Sequence, residues 1–231
     1  MPARIHTDEF FIEKKKIKNP IKFKLQLNEE QKEAKDVILQ NTITLLAGRA
    51  GSGKTLLACQ IALDGLFRRE YDKIIITRPT VSKEEIGFLP GDLREKLDPW
   101  LQPIYQNMYD LYGKDRIEQY IKEGQIEIVP VSFMRGRTFL NSAIIVDEAQ
   151  NVDHDQMEMI VTRIGLRSKM IICGDAGQVD LKNKKYSGFK FLFNNAERVN
   201  KMAAITLQSN HRDPIVDELL NLYSEHELNK E

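Results

Sequence analysis

Eight consecutive residues near the start of the chain combine glycines, a lysine and a threonine at a spacing that suits phosphate binding. They fit the pattern G-x-x-x-x-G-K-[S/T] without mismatch and lie between an apolar run, 43–47, and a helical pattern that begins at Leu56. Glycines let the backbone wrap around a phosphate with its N–H groups pointing inward, and a following helix N-terminus adds positive potential. We therefore predict a nucleotide site in which Lys54 reaches the β- and γ-phosphates and the Thr55 hydroxyl holds Mg²⁺. The cofactor-binding residues predicted are Gly48, Arg49, Ala50, Gly51, Ser52, Gly53, Lys54 and Thr55.

Two adjacent acids, Asp147 and Glu148, follow a second apolar run at 143–146. A strand that ends here places both carboxylates at the edge of the sheet where ligands bind in α/β proteins. Asp147 is the natural Mg²⁺ partner, and Glu148 is the natural residue to polarise an attacking water. The alternative is an acidic helix start stabilised by the helix dipole. With the phosphate pattern upstream, the pair favours hydrolysis of a nucleoside triphosphate.

Two further polar residues follow later predicted strands. Gln178 lies in the segment 174–180, where a neutral amide can donate to a γ-phosphate oxygen and orient water; the alternative is a Gly/Asp-rich turn. Arg212 can stabilise transition-state charge as an arginine finger, in its own subunit or in a neighbouring one; the alternative is a surface arginine. Both are predicted as catalytic residues together with Lys54 and Glu148.

The base-binding end of the site is predicted from Gln31, whose amide can pair with the purine edge of adenine. Asn28 and Gln31 also have the spacing of a helix capping box, and the two roles are compatible. A GTPase is disfavoured because the guanine-reading Asn-Lys-x-Asp is absent: Asn183 and Lys184 are followed by Lys185 and Tyr186. A P-loop kinase is disfavoured by the acidic pair and by Gln178.

Short apolar runs alternate with helical patterns along the rest of the chain, which is typical of a parallel sheet covered on both faces. We predict an α/β fold, with a lysine-rich arm over 1–19 and one domain over 20–231. Pro99 and Pro103 are expected to kink or split the longest helix. The predicted strands are 21–27, 42–47, 73–77, 126–131, 143–147, 170–173 and 203–207, and the predicted helices are 28–40, 56–67, 93–111, 116–122, 157–164 and one that starts at 213–214.

Composition sets limits on the class of protein. Acidic and basic residues number 34 each, so any nucleic-acid site has to be a local patch. The two cysteines lie within predicted core elements and are expected to be apolar fillers in a reducing compartment. There is no apolar stretch of 18 residues and no apolar signal core, so we expect a cytoplasmic protein without a membrane span.

The motifs, in this order, resemble the first motor domain of superfamily 1 helicases. Four segments sharpen the resemblance to the PhoH-like ATPase family over about 25–225: 77–79, 87–92, 95–100 and 134–138. The resemblance implies a single RecA-like P-loop domain, use of ATP and Mg²⁺, and hydrolysis. It also implies RNA-linked work in some members and a ring-like homo-oligomer, a hexamer being one arrangement. One departure is that Arg212 is followed by Asp213, where family members commonly have histidine.

Four residues are candidates for contact with single-stranded RNA or DNA: Arg78, Phe88, Arg135 and Arg137. Arginines and an aromatic ring are the groups that bind backbone and stack bases. Arg135 and Arg137 can alternatively brace the phosphate loop or an interface. Our leading hypothesis is a Mg²⁺-dependent ATPase coupled to a single strand; the alternative is a nucleotide-gated switch that signals through protein partners with little turnover.

Overall fold

A computed structural model of the chain describes residues 26–79, 93–175 and 187–209, together with five residues between 215 and 222. Several predictions fall outside these ranges and stay predictions. They concern the arm over 1–19, most of the strand over 21–27, and the functional residues Phe88, Gln178 and Arg212.

Six parallel strands form the sheet, in the order β3-β2-β4-β5-β1-β6. Their side chains are largely buried, as expected for a parallel sheet that is covered on both faces. One strand, β5, separates β1, which leads into the phosphate loop, from β4, which leads into Asp147. The predicted parallel α/β fold is therefore confirmed. The strands are β1 Ile43–Gly48, β2 Lys73–Thr77, β3 Ile126–Ile128, β4 Ser142–Val146, β5 Lys169–Gly174 and β6 Met202–Leu207.

Helices connect the strands and cover the two faces. Two 3₁₀ turns, Ala149–Asn151 and Ala196–Arg198, add to them, and the described residues between 215 and 222 are helical. Within the described part of the chain, no helix is long and apolar enough to cross a membrane. The helices are α1 Glu29–Gln40, α2 Lys54–Phe67, α3 Leu93–Tyr112, α4 Lys114–Lys122, α5 Val131–Met134, α6 His154–Val161 and α7 Gly188–Asn195.

Two apolar cores lie on opposite faces of the sheet, because successive side chains of a strand point to opposite sides. Ile74 and Ile76 of β2 pack in the core that contains α1, α2, α3 and α4. Ile75, between them, packs in the core that contains α5, α6 and α7. The predicted cover of helices on both faces is confirmed.

Two local predictions need correction, and one helix lacks a prediction. Helix α3 continues through Pro99 and Pro103, so a split is wrong, whereas a kink stays a prediction. Strand β3 ends at Ile128 instead of 131, because Pro130 lacks an N–H group for the ladder and becomes the N-cap of α5. Helix α7 was not predicted; Ser187 caps it by accepting a hydrogen bond from the Lys190 N–H at 3.3 Å.

Lys169, at the start of β5, is a buried cation that holds the end of α1. Its Nζ donates to the carbonyl oxygen of Ile38 at 2.5 Å, to that of Leu39 at 3.3 Å and to that of Asn41. The Ile38 carbonyl oxygen also accepts from the N–H of the C-cap residue Asn41 at 3.4 Å, and a cation at a helix C-terminus is favourable. Burial lowers the pKa of Lys169. The contact fixes α1 on the sheet, and the opposite end of α1 carries Gln31.

Candidate nucleotide-binding site

Residues 48–55, here called the phosphate loop, turn the chain from the end of β1 into the start of α2. Gly51 and Gly53 have φ values of +90° and +84°, in the left-handed region that favours glycine. Gly53 is the N-cap of α2, so the first N–H groups of the helix face the loop without partners inside the helix. The loop therefore has the backbone donors that a phosphate requires.

Gly48 is required by close packing. A Cβ atom here would lie 2.6 Å from Ser52 Oγ and 2.8 Å from the carbonyl oxygen of Leu207. The second contact is with backbone at the end of β6, which cannot move as a side chain can. The start of the phosphate loop is thus packed directly against the strand that leads toward Arg212.

The Lys54 ammonium lies within the loop itself. Its Nζ donates to the carbonyl oxygens of Gly48 at 2.7 Å and Arg49 at 2.9 Å. The ammonium is thus held by two loop carbonyls close to the N–H groups at the start of α2. This arrangement fits a polyphosphate.

Thr55 and Asp147, which are 92 positions apart in the sequence, meet at the centre of the site. The Thr55 hydroxyl donates to Asp147 Oδ1 at 2.7 Å, and the Asp147 N–H donates to the carbonyl oxygen of Thr77 at 2.9 Å. Asp147 is only 5% exposed. Burial raises the pKa of Asp147 and Glu148 adds to the rise, whereas the Thr55 hydrogen bond and the cations Arg78 and Lys54 oppose it. A hydroxyl beside a carboxylate is an oxygen set that suits Mg²⁺, so these residues fit the predicted ion.

Glu148 is held at both of its carboxylate oxygens. Arg78 Nη2 lies 3.4 Å from Oε1, and Gln150 Nε2 donates to Oε2 at 2.7 Å. Glu148 itself has φ +53°, an uncommon conformation for a residue other than glycine, at the turn between β4 and the 3₁₀ helix. Of the three described candidates for nucleic-acid contact, Arg78 is the one that lies at the acidic pair.

Gln31 takes part in a capping box at the start of α1, as its spacing with Asn28 predicts. Its backbone N–H donates to Asn28 Oδ1 at 2.8 Å, and its Oε1 accepts from the Asn28 N–H at 3.2 Å. The Nε2 group is 3.5 Å from the carbonyl oxygen of Ser52. Gln31 therefore borders the phosphate loop while it caps its helix, and its contact with adenine stays a prediction.

Sequence reasoning missed the role of Glu30, the neighbour of Gln31. Its carboxylate accepts hydrogen bonds from the N–H groups of Gln208 and Ser209 and from the Ser209 hydroxyl. The distance from the Ser209 nitrogen to Glu30 Oε2 is 3.0 Å. The start of α1 thus ties the segment that leads to Arg212 to the same edge of the sheet as the phosphate loop. The sequence carries no signal for this contact, because Glu30 precedes Gln208 by 178 positions.

The two arginines of the segment 134–138 lie at the outer edge of the sheet, after β3. Arg137 Nη1 forms an ion pair with Glu127 Oε1 at 2.8 Å, and its guanidinium lies 4.8 Å from the centre of the Phe139 ring. Arg135 is exposed. Neither has a contact with the phosphate loop among the described residues. Their predicted contact with nucleic acid stays a prediction.

Comparison with known proteins gives consistent matches. The model of the family described as "PhoH-like protein" matches residues 25–224. A PhoH-like protein of Synechocystis is 40% identical over 193 residues, which cover 82% of this chain and 59% of the relative. A PhoH-like protein of Bacillus subtilis is 40% identical over 196 residues, covering 84% and 61%. Protein PhoH of Escherichia coli is 38% identical over 167 residues, covering 71% and 47%. The chain thus spans less than two thirds of the length of these relatives.

Solved structures show more distant similarity. The alignment with the Pif1 helicase of Candida albicans covers 85% of this chain and 44% of the helicase chain, with a TM-score of 0.46 and 17% identity. The alignment with Bacteroides Pif1 bound to single-stranded DNA covers 85% of this chain and 46% of the Pif1 chain, with a TM-score of 0.43 and 17% identity. The family match across 200 positions and the relatives at about 40% identity, together with the phosphate loop and the acidic pair, show that this chain belongs to the PhoH-like protein family.

Proposed function

We propose that this chain binds ATP with Mg²⁺ and hydrolyses it. The proposal rests above all on the 2.7 Å contact between the Thr55 hydroxyl and Asp147 Oδ1, because it joins the phosphate loop to the acidic pair. Glu148 follows directly, so a potential general base stands beside the residues that would hold the ion. A phosphate-binding protein without hydrolysis would not need this second carboxylate.

Each residue has a separate task in the proposed reaction. The loop N–H groups and Lys54 hold the phosphate chain, with Gln31 toward the adenine. Mg²⁺, when bound, would neutralise charge on the phosphate oxygens, and Thr55 and Asp147 are the residues that would hold it. Glu148 accepts a proton from the water whose oxygen attacks the terminal phosphorus, while the bond from that phosphorus to the oxygen of ADP breaks. Gln178 would orient the water, and Arg212 would stabilise the charge on the transferred group.

We further propose that hydrolysis is coupled to single-stranded RNA or DNA. Arg78 supports this proposal, because it follows β2 at the ligand-binding edge and contacts Glu148 at 3.4 Å. A phosphodiester that drew the guanidinium of Arg78 would alter the surroundings of the general base. Arg135 and Phe88 would add backbone contact and stacking, and Arg137 would need to leave Glu127 to take part.

The proposed assembly is a ring-like homo-oligomer in the cytoplasm. A neighbouring subunit would supply the face that closes over ATP, with Arg212 as one candidate group. Cys59 and Cys173 are both buried free thiols, a state that a reducing compartment favours. Sedimentation analysis tests the assembly, and a monomer with full turnover would contradict a contribution from the neighbour.

A nucleotide-gated switch is the second candidate. It is favoured by the ion pair between Arg78 and Glu148, at 3.4 Å, which draws one oxygen of the proposed general base toward a cation. Binding of ATP without turnover is a coherent resting state if Arg78 keeps this oxygen from the attacking water until a partner draws the guanidinium away.

The test is steady-state ATP hydrolysis with and without single-stranded RNA or DNA, in the wild type, in Glu148→Gln and in the control Glu158→Gln. Glu158 lies on α6 and is exposed, so its variant controls for loss of one carboxylate. Turnover that is lost only in Glu148→Gln, with ATP still bound, supports hydrolysis. Stimulation by a single strand supports coupling, and its absence contradicts it. ATP binding without turnover in the wild type supports the switch, and equal use of GTP contradicts the adenine role of Gln31.

A further inference from the structure

Gln150 is a buried glutamine that bridges Glu148 to a neighbouring strand. It lies in the 3₁₀ helix that follows β4 and is only 2% exposed. Its Nε2 donates to Glu148 Oε2 at 2.7 Å, and its Oε1 accepts from the backbone N–H of Asp175 at 3.0 Å. One side chain therefore joins the proposed general base to the first residue after β5.

The orientation of the Gln150 amide follows from these two partners. A backbone N–H can only donate, so the amide oxygen has to face Asp175. An ionised carboxylate can only accept, so the amide nitrogen has to face Glu148. The Gln150 carbonyl oxygen also accepts from the Ser187 hydroxyl at 3.1 Å, which fixes its backbone. Gln150 is thus held at its main chain and at both ends of its amide.

The strand order explains how these groups meet. Strands β2, β4 and β5 are neighbours in the sheet, and Arg78, Glu148 and Asp175 each come shortly after one of them. The Glu148 side chain is 42% exposed, whereas Gln150 is buried. Of the two side chains, the Gln150 amide is therefore the one held in place by its surroundings. The Arg78 contact is longer, at 3.4 Å, and it is made by a flexible side chain.

We infer that Gln150 is a positioning residue. It orients the Glu148 carboxylate to accept a proton from the attacking water, and it fixes the position of this carboxylate relative to Asp175 at the end of β5. The inference rests on the proposed hydrolysis. It predicts that the contact sets the rate of the chemical step and leaves the affinity for ATP unchanged, because Gln150 has no contact with the phosphate loop among its described partners.

Two variants test the two ends of the Gln150 amide separately. In Gln150→Met the side chain has a similar length but loses both hydrogen bonds. Gln150→Glu retains an oxygen acceptor for the Asp175 N–H but loses the N–H group that reaches Glu148. The control is Ser168→Ala, which removes buried hydrogen bonds to the Ser142 N–H and the Phe139 carbonyl oxygen without removing a contact of Glu148 or Gln150.

The measurements are kcat and KM for ATP, nucleotide affinity with a fluorescent ATP analogue, and melting temperature. We expect both Gln150 variants to lower kcat at least about tenfold, since misplacing a catalytic group by 1 Å can cost about 100-fold. KM and nucleotide affinity should stay within about threefold, and Ser168→Ala should retain most of the wild-type kcat even if it melts earlier.

Three results would overturn the inference while the proposed hydrolysis stands. They are an unchanged kcat in Gln150→Met, a loss of kcat in Ser168→Ala equal to that of the Gln150 variants, and a normal kcat in Gln150→Glu beside an impaired Gln150→Met. The last result would assign the effect to the Asp175 link alone. A wild-type chain with no turnover would instead contradict the hydrolysis proposal itself, and this inference with it.

Discussion

Replacing Asp147 by asparagine should stabilise the nucleotide-free protein while it removes the response to Mg²⁺ and ATP. Asp147 is almost fully buried, and burial is the largest cause of its raised pKa. Asparagine retains an oxygen that can accept the hydrogen bond from the Thr55 hydroxyl at the same position. The variant therefore removes the cost of a buried charge and keeps its main polar contact.

The sign of the effect follows from proton linkage. A carboxyl whose folded pKa is raised binds more protons in the folded state, so stability falls as the pH rises from the ordinary aspartate value through the folded pKa of Asp147. We expect Asp147→Asn to be more stable than the wild type at pH 8 by about 0.5–2 kcal/mol, the usual range for a single stabilising substitution. Each kcal/mol amounts to about 2–4 °C in melting temperature.

The assay is urea unfolding in EDTA between pH 4 and pH 8, with exposed Asp72→Asn as the control. The advantage of Asp147→Asn should shrink toward zero at acidic pH, where the wild-type carboxyl is protonated in both states. With Mg²⁺ and ATP at about 100 times Kd, the wild type should gain about 2.7 kcal/mol and the variant little. A variant that is less stable than the wild type at pH 8, or an advantage that grows on acidification, would refute the argument from burial.

Three other variants or treatments test the surrounding structure. Lys169→Met should lower the free energy of unfolding by about 2 kcal/mol, because the last carbonyls of α1 lose a charged donor; unchanged urea unfolding would contradict this. Gly48→Ala should cost about 1–3 kcal/mol by overpacking and weaken ATP binding at least about tenfold, measured by calorimetry. Its control is Gly124→Ala, where a Cβ meets nothing within 4 Å and only the left-handed backbone is strained. Cys59 and Cys173, whose thiol pKa values are raised by burial, should react with a thiol reagent only after unfolding, and reaction in the native state would show that this core opens.

Local patterns predicted the strands well, because a strand buried on both faces has a short apolar run that few other elements share. Helices were less predictable where packing decides the outcome. Pro99 and Pro103 each remove an intrahelical hydrogen bond, yet α3 continues, and its apolar residues from Ile104 onward pack in the core with α2 and α4. Helix α7 has weak helical signals of its own, but Phe189 is buried in the core beneath it.

The phosphate loop and the acidic pair can be recognised from the sequence alone. Residues 48–55 are contiguous, and the backbone turn, the cation and the hydroxyl all depend on spacing within eight positions. The position of Asp147 after a strand likewise follows from one apolar run. Such local requirements can be recognised without knowledge of the neighbouring strands.

The way in which Glu148 is held depends on the tertiary structure. Arg78 contacts Glu148, and Gln150 joins Glu148 to Asp175, because β2, β4 and β5 are neighbours, and strand order is not written in the spacing of residues along the chain. The same reason applies to Glu30, which reaches Ser209 across 179 positions. Contacts of this kind depend on which strand ends share an edge of the sheet, and that is settled by packing of the whole domain.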